Sequence, residues 1–142
     1  MGKVFQEIEL VNTGDEVLHR HGMLAAEQIR RVKLTALVDT GATLLSVPED
    51  VIQKLGLPLL KQATTRYADG RTERCNIYGP ALIRVLGRVE TVSVLAGHTG
   101  QPALLGQIPL EGLDLLVDTG RQCLVPNPES PDMPLVEVYE AA

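Results

Sequence analysis

Two carboxylates of this chain stand in the same three-residue setting, Asp39-Thr40-Gly41 and Asp118-Thr119-Gly120. An Asp on a solvated turn is chemically ordinary. An Asp at the end of an apolar strand, in a turn made from a hydroxyl residue and a glycine, is held at the edge of a core. There the fold can set its hydration and ionisation. The first copy has this approach: Ala36-Leu37-Val38 runs straight into Asp39, and Ala42-Thr43 follows Gly41. The chemistry open to such a group is proton transfer. Two carboxylates sharing one proton act as acid and base together, because like charges in contact cannot both ionise. Peptide hydrolysis needs both: a water activated as nucleophile, and a proton given to the leaving nitrogen.

The elements that must position these residues are short and mostly extended. Residues 3–11 read as a strand, 12–15 (Asn-Thr-Gly-Asp) as a turn, and 16–20 as the returning strand of a hairpin. Arg31–Val38 alternates, with Val32, Leu34, Ala36 and Val38 on one face, so it is a half-buried strand that delivers Asp39. Residues 44–47 read as another strand. Pro48-Glu49-Asp50 opens a short helix that Gly56 stops. Residues 64–67 and 72–77 flank Asp69-Gly70, a pair favoured in tight two-residue hairpin turns. Gly79-Pro80 breaks or bends the second of these strands. Ala103-Leu104-Leu105-Gly106 is a buried apolar strand ending in glycine, and Gln107–Leu113 a short helix. Strands at 115–117 and 122–125 flank the second Asp-Thr-Gly. The sum is a mainly-β chain, a small closed barrel or sandwich with one or two short helices, in a single domain over 1–142. Residues 126–142 form a Pro-rich tail or edge strand.

Composition narrows the function. Hydrophobic residues make up 44% of the 142, enough for a packed core, but aromatics only 3% with no Trp, which disfavours base stacking. The net charge of -5 opposes nucleic-acid binding. Cys75 and Cys123 lie far apart, outside any CxxC spacing, and read as buried thiols. His19 and His21 would share a strand face, yet no carboxylate or Cys cluster supports them as ligands. We therefore expect no metal and no cofactor, no membrane span, and a cytoplasmic protein.

Residues 36–43 resemble the active-site signature of aspartic proteases, and Leu104-Leu105-Gly106 with its following helix resembles their second motif. The order of elements over residues 4–128 is similar to the retropepsin-like (clan AA) aspartic proteases of the small, bacterial single-domain type. The resemblance implies an aspartic endopeptidase acting on a peptide or protein substrate, with Asp39 catalytic and Thr40, Gly41, Ala42 and Thr43 supporting it. It gives Thr40 the task of linking two Asp turns. It makes Tyr67, Ala68, Asp69, Gly70 and Arg71 a flap over the substrate, and places Leu105 and Gly106 along the cleft. Leu45 is expected along the cleft with Leu105, though for both apolar residues the commoner role is core. Larger pepsin-like enzymes often carry a serine at the position of Ala42, whose hydroxyl favours the charged carboxylate. Ala42 lacks it, which implies an activity optimum nearer neutrality.

The second Asp-Thr-Gly reads as a hairpin turn, with Gly120 available for a positive φ. Too little chain follows it for a second lobe, and Arg121 stands where the family carries a small residue. One chain then supplies one catalytic Asp, and the expected enzyme is a homodimer with Asp39 of each copy on the two-fold axis. Terminal edges near 3–11 and 135–139 are candidates to pair with the partner. The alternative is a catalytically silent peptide-binding or dimerisation module of the same fold.

Overall fold

Alternation of apolar and polar residues drives the chain into strands, and the strands close on themselves. In the computed structural model, which describes residues 2–98 and 100–138, the elements are β1 (Phe5–Asn12), α1 (Thr13–Arg20), β2 (Arg31–Val38), β3 (Leu45–Pro48), α2 (Glu49–Leu55), β4 (Leu59–Arg66), β5 (Thr72–Val85), β6 (Arg88–Gly97), β7 (Ala103–Leu105), α3 (Gln107–Leu113), β8 (Leu115–Asp118) and β9 (Cys123–Pro126). The ladder runs β1-β2-β7-β3-β6-β5, and β5 pairs back onto β1. This is a closed six-stranded barrel, mainly β, as the sequence predicts and as the retropepsin fold requires. β4 lies outside it on the far end of β5, and β8–β9 form a separate two-stranded sheet. No helix among the described residues is long and apolar enough to cross a membrane.

The barrel interior is aliphatic, built from Ile8, Leu10, Ala36, Val47, Ile83, Val85 and Val94 among others. Leu45 and Leu105 face each other across the β3–β7 ladder, both fully buried. Removing either side chain to Ala would cost roughly 2–5 kcal/mol. That pair is the packed floor behind the Asp39 turn.

Residues 16–20 are not a strand but part of α1, one helix more than the composition and pattern predict. The cause is local capping. Asn12 Oδ1 accepts from Asp15 N at 3.0 Å, Asp15 and Glu16 stand in the first turn, and His19 and Arg20 in the last. Asn12 is buried, and its Nδ2 donates to the Leu55 carbonyl at 2.7 Å, tying α1 to the end of α2. Asp15 is buried too. Arg30 donates to it from Nε at 2.8 Å, Nη2 at 3.0 Å and its backbone N at 2.9 Å. The Arg30 guanidinium holds the Asp15 carboxyl below the usual range. His19 and His21 consequently share no strand face: the His19 ring hydrogen-bonds the Leu24 carbonyl, and His21 caps α1.

β5 is one strand of 14 residues, bent rather than broken at Gly79-Pro80. Its register shifts between Tyr78 and Ala81, and Gly79 adopts φ 145, a region open to glycine. The first half pairs with β4 and the second half belongs to the barrel. The β4–β5 connection is not a two-residue turn. Gly70 N donates to the Tyr67 carbonyl and Tyr67 N to the Arg71 carbonyl, with Gly70 at φ 85, the pattern of a three-residue loop with a glycine bulge.

Residues 127–135, which follow β9, are strapped down. Arg88, a buried cation, donates to the carbonyls of Leu113 at 3.0 Å, Asp114 at 2.9 Å and Ser130. Asp114 caps α3 in the left-handed conformation, φ 55. Its carboxylate accepts from Asn127 Nδ2 at 3.0 Å, Leu135 N at 3.0 Å and the Ser130 hydroxyl. β1 pairs with β2 over Phe5–Val11 but with β5 only over Glu9–Asn12, so one edge of Phe5–Ile8 has no strand beside it among the described residues. Residues 135–138 lie in no strand, and Tyr139 falls outside the described residues. Cys75 and Cys123 are free thiols, half-buried rather than buried.

Donors from Ser130, then Leu135 and Asn127, lower the Asp114 carboxyl to about 2 from 3.8. Because the folded value lies below the unfolded one, Asp114 stabilises the fold above pH 3.8, and that contribution is lost as pH falls through about 2. Asp114→Asn, which keeps the left-handed backbone accessible, is expected to lower stability at pH 7 and to flatten its loss between pH 4 and 2. Urea midpoints across that range check it; a variant with the wild-type acid profile contradicts it.

Candidate active site

Asp39 leaves the end of β2 and is fixed by backbone alone. Its N–H donates to the Leu105 carbonyl at 3.0 Å, and its carbonyl accepts from Ala42 N at 3.1 Å. Its Oδ1 accepts from Gly41 N at 3.0 Å, an Asx-type turn that orients the carboxylate. Gly41 has Asp39 Oδ1 only 3.2 Å from where a Cβ would stand, so a side chain there would crowd the acid. Asp39 is half-buried, not dry: in a single chain one side of the turn is open, and Thr40 and Gly41 are exposed.

The turn is held from below by the start of α3. A helix leaves its first N–H groups unpaired, and Gly106, its N-cap, has no side chain to receive them. The loop after Asp39 supplies the acceptors: Gln107 N donates to the Ala42 carbonyl at 2.8 Å and Ile108 N to the Thr43 carbonyl at 2.9 Å. This requires Gly106 to lie against the loop. A Cβ on it would overlap the Leu44 carbonyl and come within 2.7 Å of the Ala42 carbonyl. Glycine is required here by space, since φ is an ordinary -90.

A cleft of about 1360 Å³ opens above the turn. Asp39, Gly41, Ala42 and Thr43 line its floor, and Leu104 and Leu95 one wall. The β4–β5 hairpin forms the roof, with Tyr67, Ala68 and Arg71 among the lining residues. Asp69 and Gly70 form the exposed hairpin tip and do not line the cleft; the Asp69 carboxylate accepts from Arg71 N at 2.9 Å. Three expected cleft residues are not there. Leu45 and Leu105 are fully buried in the core, and Gly106 is buried under the Asp39 loop. Strand parity explains it: Ala103 and Leu105 point inward, so Leu104 takes the cleft face. The alternation would have identified Leu104 from the sequence.

Tyr67 is the best-connected residue of the roof. Its hydroxyl donates to Glu73 Oε2 at 3.1 Å, and the Arg71 guanidinium sits 4.4 Å from its ring centre. The Glu73 carboxylate raises the Tyr67 hydroxyl above its ordinary value.

Thr40 points to a second, smaller cavity of about 260 Å³, shared with Leu110, Leu115, Leu116 and Val117. Asp118 does not line the large cleft. It ends β8, where its Oδ1 accepts from Arg121 N at 3.1 Å. The hairpin reading of this copy describes what the structure contains, with one correction: Gln122, φ 53, takes the left-handed position instead of Gly120.

Comparison with known protein families matches residues 26–112, more than half the chain, to the family described as gag-polyprotein putative aspartyl protease. The matched segment contains the Asp39 turn, the hairpin roof and Gly106. No curated protein matches the chain.

Gly106→Ala is expected to cost about 3 kcal/mol by overpacking the Asp39 loop. A fall in the urea midpoint at unchanged denaturant slope measures it, and an unchanged midpoint contradicts the close approach.

Proposed function

We propose, from the premise that the chain belongs to the gag-polyprotein putative aspartyl protease family, that it is an aspartic endopeptidase active as a homodimer. The observation that carries this reading is Asp39 itself. Its carboxylate is aimed by Gly41 N and lies on the floor of a cleft of about 1360 Å³, beneath a hairpin roof. The second Asp-Thr-Gly is turned to its own hairpin, so one chain offers one such carboxylate.

A second copy related by a two-fold axis at the exposed Thr40-Gly41 turn would bring its Asp39 against the first. Two carboxylates in contact share one proton. The ionised one takes a proton from water as its oxygen adds to the scissile carbonyl carbon. The protonated one donates as charge develops on the substrate, and the carbon–nitrogen bond breaks once the amine nitrogen is protonated. The roof hairpins exclude bulk water from this exchange. Peptide side chains would meet the apolar wall residues Leu104 and Leu95. Thr40, exposed beside the turn, would bridge the two copies.

Asp39→Asn is expected to abolish cleavage of a peptide library while leaving the fold intact, and Asp118→Asn to retain cleavage within about two-fold. The activity optimum is expected well above that of pepsin-like enzymes, since Ala42 offers the acid no hydroxyl. The opposite pattern in the two variants, or a rate maximum near pH 2, overturns the assignment. A folded wild-type dimer that cleaves nothing favours the silent peptide-binding module.

A further inference from the structure

The roof hairpin is tied to the wall of its own cleft. Glu73, on β5, uses both carboxylate oxygens. Oε2 accepts from the Tyr67 hydroxyl at 3.1 Å, and Oε1 lies 3.3 Å from His98 Nε2. Tyr67 and Glu73 are on the hairpin, whereas His98 is on the connection that follows β6 and leads into β7. That connection continues to Leu104, on the cleft wall, and to Leu105, whose carbonyl holds Asp39 N. A single side chain therefore links the part of the site expected to move with the part that holds the acid.

We propose that Glu73 and His98 are positioning residues that latch the β4–β5 hairpin over the cleft. The proposal rests on the protease reading for its effect on turnover, though the latch itself is a property of the cleft. Glu73 pairs with Thr65 on the hairpin face that carries half-buried Ala63 and Cys75, and is itself exposed enough to reach His98. Arg71 over the Tyr67 ring stiffens the same face. When the imidazole is protonated the contact is an ion pair, and otherwise a hydrogen bond. Other charged groups along this cleft are Arg66, Arg71 and Arg74 from the hairpin, Glu49 from the start of α2, and Asp39. Glu73 is the one that meets His98 at bonding distance. Both partners are partly exposed, so the latch is weak enough to open for substrate: exposed pairs shift an equilibrium by about two- to five-fold.

The test combines hydrogen exchange with kinetics on the full chain. In wild type, Tyr67 N and Gly70 N are bonded within the hairpin and report its opening. Glu73→Gln and His98→Ala are expected to speed exchange across residues 67–73 by about two- to five-fold. KM for peptide should rise by a similar factor and more than kcat falls. His98→Lys, which keeps a cation at the position, is expected to restore slow exchange and low KM. Wild-type exchange in both Glu73→Gln and His98→Ala overturns the latch, and so does His98→Lys behaving as His98→Ala. Faster exchange in a chain that cleaves nothing supports the latch and removes the protease reading.

Discussion

At Gly106 the chain passes so close beneath the Asp39 turn that a methyl group would overlap the carbonyls of Ala42 and Leu44. Most of the site follows from that approach. It lets the first two N–H groups of α3 donate to the Ala42 and Thr43 carbonyls, and it brings Leu105 to the Asp39 amide. The loop carrying the acid is thus built from backbone hydrogen bonds at both ends. Such bonds fix geometry without spending a side chain, so Thr40 and Thr43 remain available at the surface of the turn. A catalytic carboxylate needs this kind of support, because a displacement of about 1 Å at the reacting groups is costly in rate.

The closed barrel supplies the rigid half of the arrangement. Leu45 and Leu105, buried face to face, leave the floor under Asp39 no room to sink. The other half is the part of β5 on the hairpin side of the bend at Gly79-Pro80. There β5 has left the barrel ladder with β1 and pairs mainly with β4. One strand therefore serves two purposes, a wall of the barrel and an arm above the cleft. The arm is polar and mostly exposed, with few buried apolar contacts of its own. Residues 127–135 are fastened separately, by buried Arg88 and by Asp114.

Much of this was legible in the sequence where one local rule decided the outcome. Apolar alternation gave β2, Pro48 and Gly56 bracketed α2, and the Asp39 motif together with Leu104-Leu105-Gly106 pointed to the fold. The failures occurred where a side chain reached a distant backbone. Asn12-Thr13-Gly14-Asp15 reads as a turn, but Asn12 caps a helix and also bonds Leu55 on another element, so residues 16–20 became helical. Leu105 was placed in the cleft because the motif was read as a unit, whereas strand parity sends Leu104 there. Glu73 and His98 have no local signal at all: their meeting depends on the barrel closing and the β6–β7 connection folding over the hairpin. The half-exposure of Asp39 is likewise invisible to a motif, because it depends on what covers the other side of the turn.

The central claim is that two copies of Asp39 make one active site. Isothermal calorimetry with a peptide isostere that carries a secondary hydroxyl in place of the scissile carbonyl tests it most directly, because such a group needs both carboxylates. Saturation is expected at one ligand per two chains, with binding lost in Asp39→Asn. Saturation at one ligand per chain, with Asp39→Asn still binding, would contradict it.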